Sequence, residues 1–342
     1  MAEDWKIFTG LNEDGSNPAP HDGVQDRLPL PPPWRQKRNA APAVRPNRPE
    51  SFFAAEAPRA GPFRPTPEMT LTVNAALYLR RPLLLTGTPG TGKSTLISKV
   101  AHELKLGPVL RWSITSRSTV RGGVYEYDAV GRLQASVPGQ TAPPVSDYLT
   151  LGPLGTALAA KSWPRPLLID EIDKSDLDFA NDLLNIIEEG TYEIPELRRL
   201  GPGPLTVRDW LGEPVTIEDG RLECGQFPFV VMTSNAERDF PPAFLRRCIR
   251  LTIMRPTEPE LALIVDSHLK KHLSTVARAT IDALVKQFHQ NAQTQELATD
   301  QLLNAVFLTM GQADGRERSM SREELDALRT ILLKPLTTAQ AT

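Results

Sequence analysis

The strongest constraint on this chain is a short glycine-rich run, Gly87-Thr88-Pro89-Gly90-Thr91-Gly92-Lys93-Ser94, which fits the pattern G-x4-G-K-[ST]. An apolar run, Leu83-Leu84-Leu85, precedes it, and Leu96, Ile97, Val100 and Leu104 follow at helical spacing. That is a strand, a turn and a helix. Gly87, Gly90 and Gly92 let the backbone wrap closely and aim its N–H groups at phosphate oxygens. The helix start adds a partial positive charge to the same place. Lys93 supplies a point charge for the β- and γ-phosphates, and the Ser94 hydroxyl is suited to ligate Mg2+. Residues Gly87 to Thr95 are therefore read as a nucleoside triphosphate site.

A second motif lies at Pro166-Leu-Leu-Ile-Asp170-Glu171. An apolar strand ending in two acids puts Asp170 at the carboxyl edge of a sheet, where open α/β sheets bind ligands. Asp170 is expected to hold Mg2+ partly through water, and Glu171 to polarise the attacking water. A D-E pair favours ATP hydrolysis over switch-type GTP binding. The strand Phe229-Val-Val-Met-Thr-Ser-Asn235 ends in an amide that can stand beside Glu171, although asparagine also favours strand exits for turn reasons. Pro241-Pro-Ala-Phe-Leu-Arg246-Arg247 puts two guanidinium groups at a helix end, suited to phosphate oxygens or to surface ion pairs.

Periodicity predicts helices over 68–81 and 93–104, and strands over 109–112, 167–170, 229–233 and 249–253, with further helices near 153–161, 177–189 and 241–247. Such alternation implies a parallel sheet covered on both faces. After Pro256 the strands stop, and helices are expected over 258–272, 275–289, 299–310 and 321–333. The predicted organisation is an α/β P-loop domain over 68–255 and a small all-helical lid over 256–342. Residues 1–67 are rich in proline and locally basic. They read either as a solvated linker or, through Trp5, Phe8 and Trp34, as an anchor on a neighbouring subunit or another protein.

A net charge of −2 over 342 residues gives no global pull toward nucleic acid or an anionic membrane. Two cysteines, Cys224 and Cys248, cannot form a disulfide framework. No apolar run is long enough to span a membrane, and the N-terminus does not read as a signal peptide, so a cytoplasmic protein is expected.

Taken together, the motifs resemble the AAA+ superfamily and, within it, the MoxR-like group, over residues 68–310. The likeness also covers the D-E-I-D stretch at 170–173, Leu183-Leu-Asn-Ile-Ile-Glu-Glu-Gly, and Tyr125-Glu-Tyr-Asp-Ala-Val-Gly-Arg-Leu-Gln, which looks like that group's β-hairpin insert. The resemblance implies Lys93 and Ser94 as Walker A, Asp170 and Glu171 as Walker B, and Asn235 as sensor 1. It implies Arg247, with Arg246 beside it, as an arginine finger reaching the next subunit of a ring, six by resemblance. The basic sensor 2 residue has no counterpart in Gln295–Ala305; Arg316, Arg318 and Arg322 are substitutes at a distance, and none is assigned. Tyr125 and Tyr127 suit either a pore-facing grip on substrate or cross-strand packing.

The favoured expectation is an ATP- and Mg2+-dependent, chaperone-like ring ATPase that remodels a separate partner. The resemblance suggests a von Willebrand factor A protein as that partner, and a bacterial defence or conflict system as a setting. The alternatives are a nucleic-acid-stimulated motor of restriction type, against which the charge balance speaks, and a nucleotide-locked scaffold.

Overall fold

The computed structural model describes residues 5–36, 41–136, 143–269, 278–295, 297–309, 312–313, 316–317 and 322–335. Contact density divides the chain into two compact units: Met1–Ala60 with Pro65–Leu85 and Ser94–Leu251, and Gly61–Arg64 with Thr86–Lys93 and Thr252–Thr342.

The central sheet has five strands: β1 (Leu83–Thr86), β2 (Leu110–Ser113), β5 (Pro166–Asp170), β10 (Phe229–Ser234) and β11 (Ile249–Thr252), in the order β11-β1-β10-β5-β2. β5 runs parallel to both β2 and β10, with Ile169 opposite Met232. That register makes Asp170-Glu171 and Thr233-Ser234 leave the sheet side by side. β10 is buried along its whole length, as expected of a strand covered on both faces. The fold is of the α/β class, a parallel sheet built around a P-loop sequence, with a helical C-terminal region.

Local sequence explains where the flanking helices begin and end. Helix α1 (Pro67–Leu79) is capped by Thr66, whose side chain accepts from Met69 N–H, and carries Pro67 in its first turn. It ends at Arg80, in the left-handed conformation with φ 53°. Helix α2 (Lys93–Glu103) follows the glycine turn. Helix α3 (Leu177–Glu189) starts at Asp176, which accepts from Phe179 N–H at 2.6 Å, and stops at Gly190 with φ 62°.

A second, six-stranded sheet carries the insert: β3 (Tyr125–Tyr127), β4 (Leu149–Leu151), β6 (Thr191–Glu193), β7 (Pro204–Arg208), β8 (Pro214–Glu218) and β9 (Arg221–Glu223), in the order β3-β4-β7-β8-β9-β6. The expected hairpin is present as the antiparallel β3–β4 pair, but it is one end of a larger sheet. Tyr125 is only 2% exposed and donates to Glu196 Oε2 at 2.6 Å. Its ring belongs to the buried core of this unit, against which half-buried Tyr127 also packs.

The start of the N-terminal stretch is not a solvated linker: residues 7–10 pack on their own unit. Ile7 and Phe8 are fully buried, and their N–H groups donate to Asn74 Oδ1 on α1 at 2.7 and 3.0 Å. Thr9 and Gly10 donate to the buried Glu103 carboxylate on α2. Lys99 of α2 donates to Asn17 Oδ1 at 2.8 Å. The prolines do not exclude helix altogether, since short helices form at Gly23–Arg27, Glu50–Phe53 and Ala57–Ala60; between them the extended chain satisfies N–H groups on side chains. Phe8 is buried within its own unit, whereas Trp34 stays 75% exposed.

In the second unit, helices α5 (Glu258–Leu269), α6 (Arg278–Ala292) and α7 (Thr299–Thr309) share a core of Leu261, Val265, Ile281, Leu284, Phe288, Leu302 and Val306. Helix α8 covers Arg322–Leu332.

Candidate nucleotide site

The glycine turn has the backbone that its sequence demands. Gly87 has φ 150° and Gly90 φ 75°, and a Cβ on Gly87 would lie 2.4 Å from the Ile253 carbonyl oxygen. Only glycine fits there. Lys93 is 7% exposed and its ammonium donates to the carbonyls of Gly87 and Thr88 at 2.7 and 2.9 Å, so the cation curls over its own loop. Thr91 Oγ1 closes the turn onto Thr88 O at 3.0 Å, while Pro89 and Thr95 stand half-buried beside it. Arg255 was not singled out from sequence, yet its Nε lies 3.4 Å from Thr88 Oγ1, and its guanidinium donates to the carbonyls of Ala292 and Gln295. A lone arginine after a strand carries no pattern that would have flagged it.

At the carboxyl edge of β5, Ser94 Oγ donates to Asp170 Oδ1 at 2.8 Å. Thr233 Oγ1 donates to the same carboxylate and accepts from Glu171 N–H at 2.9 Å. Glu171 takes the left-handed conformation, φ 60°. Its Oε2 pairs with Lys174 Nζ at 2.5 Å, and this hydrogen bond holds the Lys174 ammonium above its ordinary pKa of 10.5. Glu171 and Lys174 line an open cleft of about 500 Å³ together with Ser113, Thr115, Glu237 and Arg238. Asn235 follows directly, with its N–H bonded to Asp173 Oδ2 at 3.0 Å.

The two arginines differ. They follow helix α4 (Pro242–Leu245), which is anchored by fully buried Phe244, stacked on Phe240 at 4.6 Å. Arg247 is held by Glu188 at 3.3 Å and by Asn185 Oδ1 at 3.0 Å, both on α3. Arg246 is exposed, and its guanidinium has no partner among the described residues. Of the distant substitutes for sensor 2, Arg316 lies in a two-residue strand and Arg322 begins α8; Arg318 lies outside the described residues.

This donor set suits a triphosphate with a magnesium ion. A hydroxyl and a carboxylate oxygen converge at Ser94 and Asp170, the hard oxygen ligands that Mg2+ prefers. The positive-φ glycines and the Lys93 ammonium make a turn whose charge and backbone suit an anion. Among the described residues there is no cluster of three or more His, Cys, Asp or Glu side chains that could hold a metal ion, and no helix is long and apolar enough to cross a membrane.

Residues 82–248 match the family model described as AAA domain (dynein-related subfamily). The matched segment is just under half of the chain. No curated protein matches the chain. Among solved structures it is similar to a closed-state reconstruction of Hsp104 with ATPγS and FITC casein, at 20% identity, 65% coverage of this chain and a TM-score of 0.35. This chain spans 39% of that one. It is also similar to the FIGL-1 AAA domain in complex with ADP, at 15% identity, 76% and 74% coverage and a TM-score of 0.42. A third is NtrX from Brucella abortus in complex with ADP, at 13% identity, 75% and 52% coverage and a TM-score of 0.40.

Proposed function

We propose that this chain hydrolyses ATP as one subunit of a MoxR-like ring and uses the turnover to remodel a separate partner protein. One observation supports this above all others. Ser94, Asp170, Thr233 and Glu171 form a single hydrogen-bonded chain at the carboxyl edge of parallel strands.

In this reading the glycine turn and Lys93 bind the triphosphate. Ser94 and Asp170 hold Mg2+, which when bound neutralises charge on the phosphate oxygens. Glu171 accepts the proton of the attacking water, and for that its carboxylate must leave Lys174. Asn235 orients the same water. A guanidinium from the adjacent subunit offsets the charge developing on the transferred phosphoryl group. The geometry favours Arg246 for that role over Arg247, because Arg247 is already engaged by Glu188 and Asn185.

The test is an ATPase assay paired with capture. Glu171→Gln should abolish turnover while retaining ATP, and should co-purify the ring with its partner. Mixing an Arg246→Ala/Arg247→Ala double variant with Lys93→Ala should regenerate composite sites and some activity. Parental turnover by the double variant alone would overturn the shared site. Stimulation by single-stranded nucleic acid with steep salt dependence would favour a motor instead.

A further inference from the structure

Asp173 is 4% exposed, in a helical turn (Ile172–Lys174) directly after Glu171. A carboxylate this buried is almost always paired, yet no cation is bonded to it among the described residues. Its Oδ2 instead accepts two backbone N–H groups, from Asn235 at 3.0 Å and from Glu237 at 3.1 Å. Between them lies Ala236, at φ 60°, a left-handed conformation that alanine adopts only under constraint. The Ala236 N–H itself turns back to Ser234 Oγ at 2.9 Å. The loop leaving β10 is thus curled around one buried oxygen.

We propose that Asp173 is a positioning residue that fixes the loop carrying Asn235 relative to Glu171. The two acids stand two positions apart on a turn closed by Lys174 N–H to Glu171 O at 3.0 Å and by Ser175 Oγ to Ile172 O at 2.7 Å. Arg238 fastens the far side of the loop to the Ser175 carbonyl at 2.9 Å. The turn after β5 and the loop after β10 therefore form one hydrogen-bonded body. Its geometry is set by a charged acceptor that a neutral group would replace only weakly. The inference rests on the ATPase reading for its kinetic consequence but not for its structural one, and the experiment separates the two.

Amide hydrogen exchange on the full chain needs no nucleotide. Asp173→Ala should speed exchange at Asn235 and Glu237 by about tenfold or more, with Val230 to Met232 unchanged. Asp173→Asn, which keeps the volume and one acceptor oxygen, should speed it several-fold and serves if the alanine variant does not fold. Parental exchange at both amides in the variant that folds overturns the proposal. Turnover then tests the kinetic link. Asp173→Ala and Asn235→Ala should each slow hydrolysis with binding of an ATP analogue retained, and the double variant should be no slower than Asn235→Ala alone. Losses that multiply overturn it. If the parental chain shows no turnover, the ATPase reading fails and the exchange result still decides the role of Asp173.

Discussion

The Thr233 hydroxyl bridges both acids of the D-E pair through Asp170: it donates to the Asp170 carboxylate and accepts the N–H of Glu171 at 2.9 Å. One side chain on β10 thereby sets the end of β5. Thr233→Val keeps the branched shape but removes both bonds, and should lower stability by about 1–3 kcal/mol and turnover by more than tenfold on the proposed mechanism. Thr233→Ser restores the hydroxyl and should recover most of both. Thermal unfolding and ATPase assays on the pair check this.

Arg246 and Arg247 should part company when truncated singly. Arg246→Ala is expected to slow turnover by about 10³ without altering the melting temperature, as for a finger acting in trans. Arg247→Ala, which breaks contacts to Glu188 and Asn185, should act on stability first. Equal kinetic effects with no stability difference would refute the assignment.

Tyr125 should matter for folding alone. Tyr125→Phe deletes the donor to Glu196, whose carboxyl lies below its ordinary pKa of 4.5: burial opposes ionisation, but the Tyr125 hydrogen bond and the Arg121 charge outweigh it. A loss of about 1–2 kcal/mol is expected, with ATPase parameters unchanged in the folded protein.

His102, on α2, contributes a pH dependence of definite sign. Burial chiefly, then the charge of Lys99, holds its pKa below the ordinary 6.5, with Glu103 opposing. As pH falls through 6.5 the unfolded chain takes up this proton before the folded chain does, so stability is lost on acidification and gained on return. Denaturant melts of the parent and of His102→Gln, compared from about pH 7 to about pH 5, should show a shallower slope in the variant.

The glycine turn, the D-E pair and the strands that carry them were legible because each is a local pattern: period, punctuation and charge within a dozen residues. The strands over 191–223 were not placed, although Leu205 and Val207 alternate with polar residues, as do Val215 and Ile217. They are short and rich in exposed positions, and the sheet they form is joined to β3 only where β7 pairs with β4, far away in sequence. Asp173 was visible only as one letter of a motif. Its role depends on two N–H groups from a strand exit more than sixty positions on, which no spacing rule reports. The buried N-terminal segment was hidden for the same reason, since its hydrogen-bond partners, Asn74 and Glu103, belong to helices read for their apolar faces.

Glu103 is the last residue of the helix that Lys93 begins. An 11-residue α-helix is a stiff rod of about 16 Å, so what grips one end also steadies the other. Removing residues ahead of α1 to obtain a minimal fragment would strip the amides from Glu103 and Asn74 and uncover apolar surface beneath Ile7 and Phe8. Tags and fusion junctions belong upstream of Trp5, not at the start of the recognisable domain.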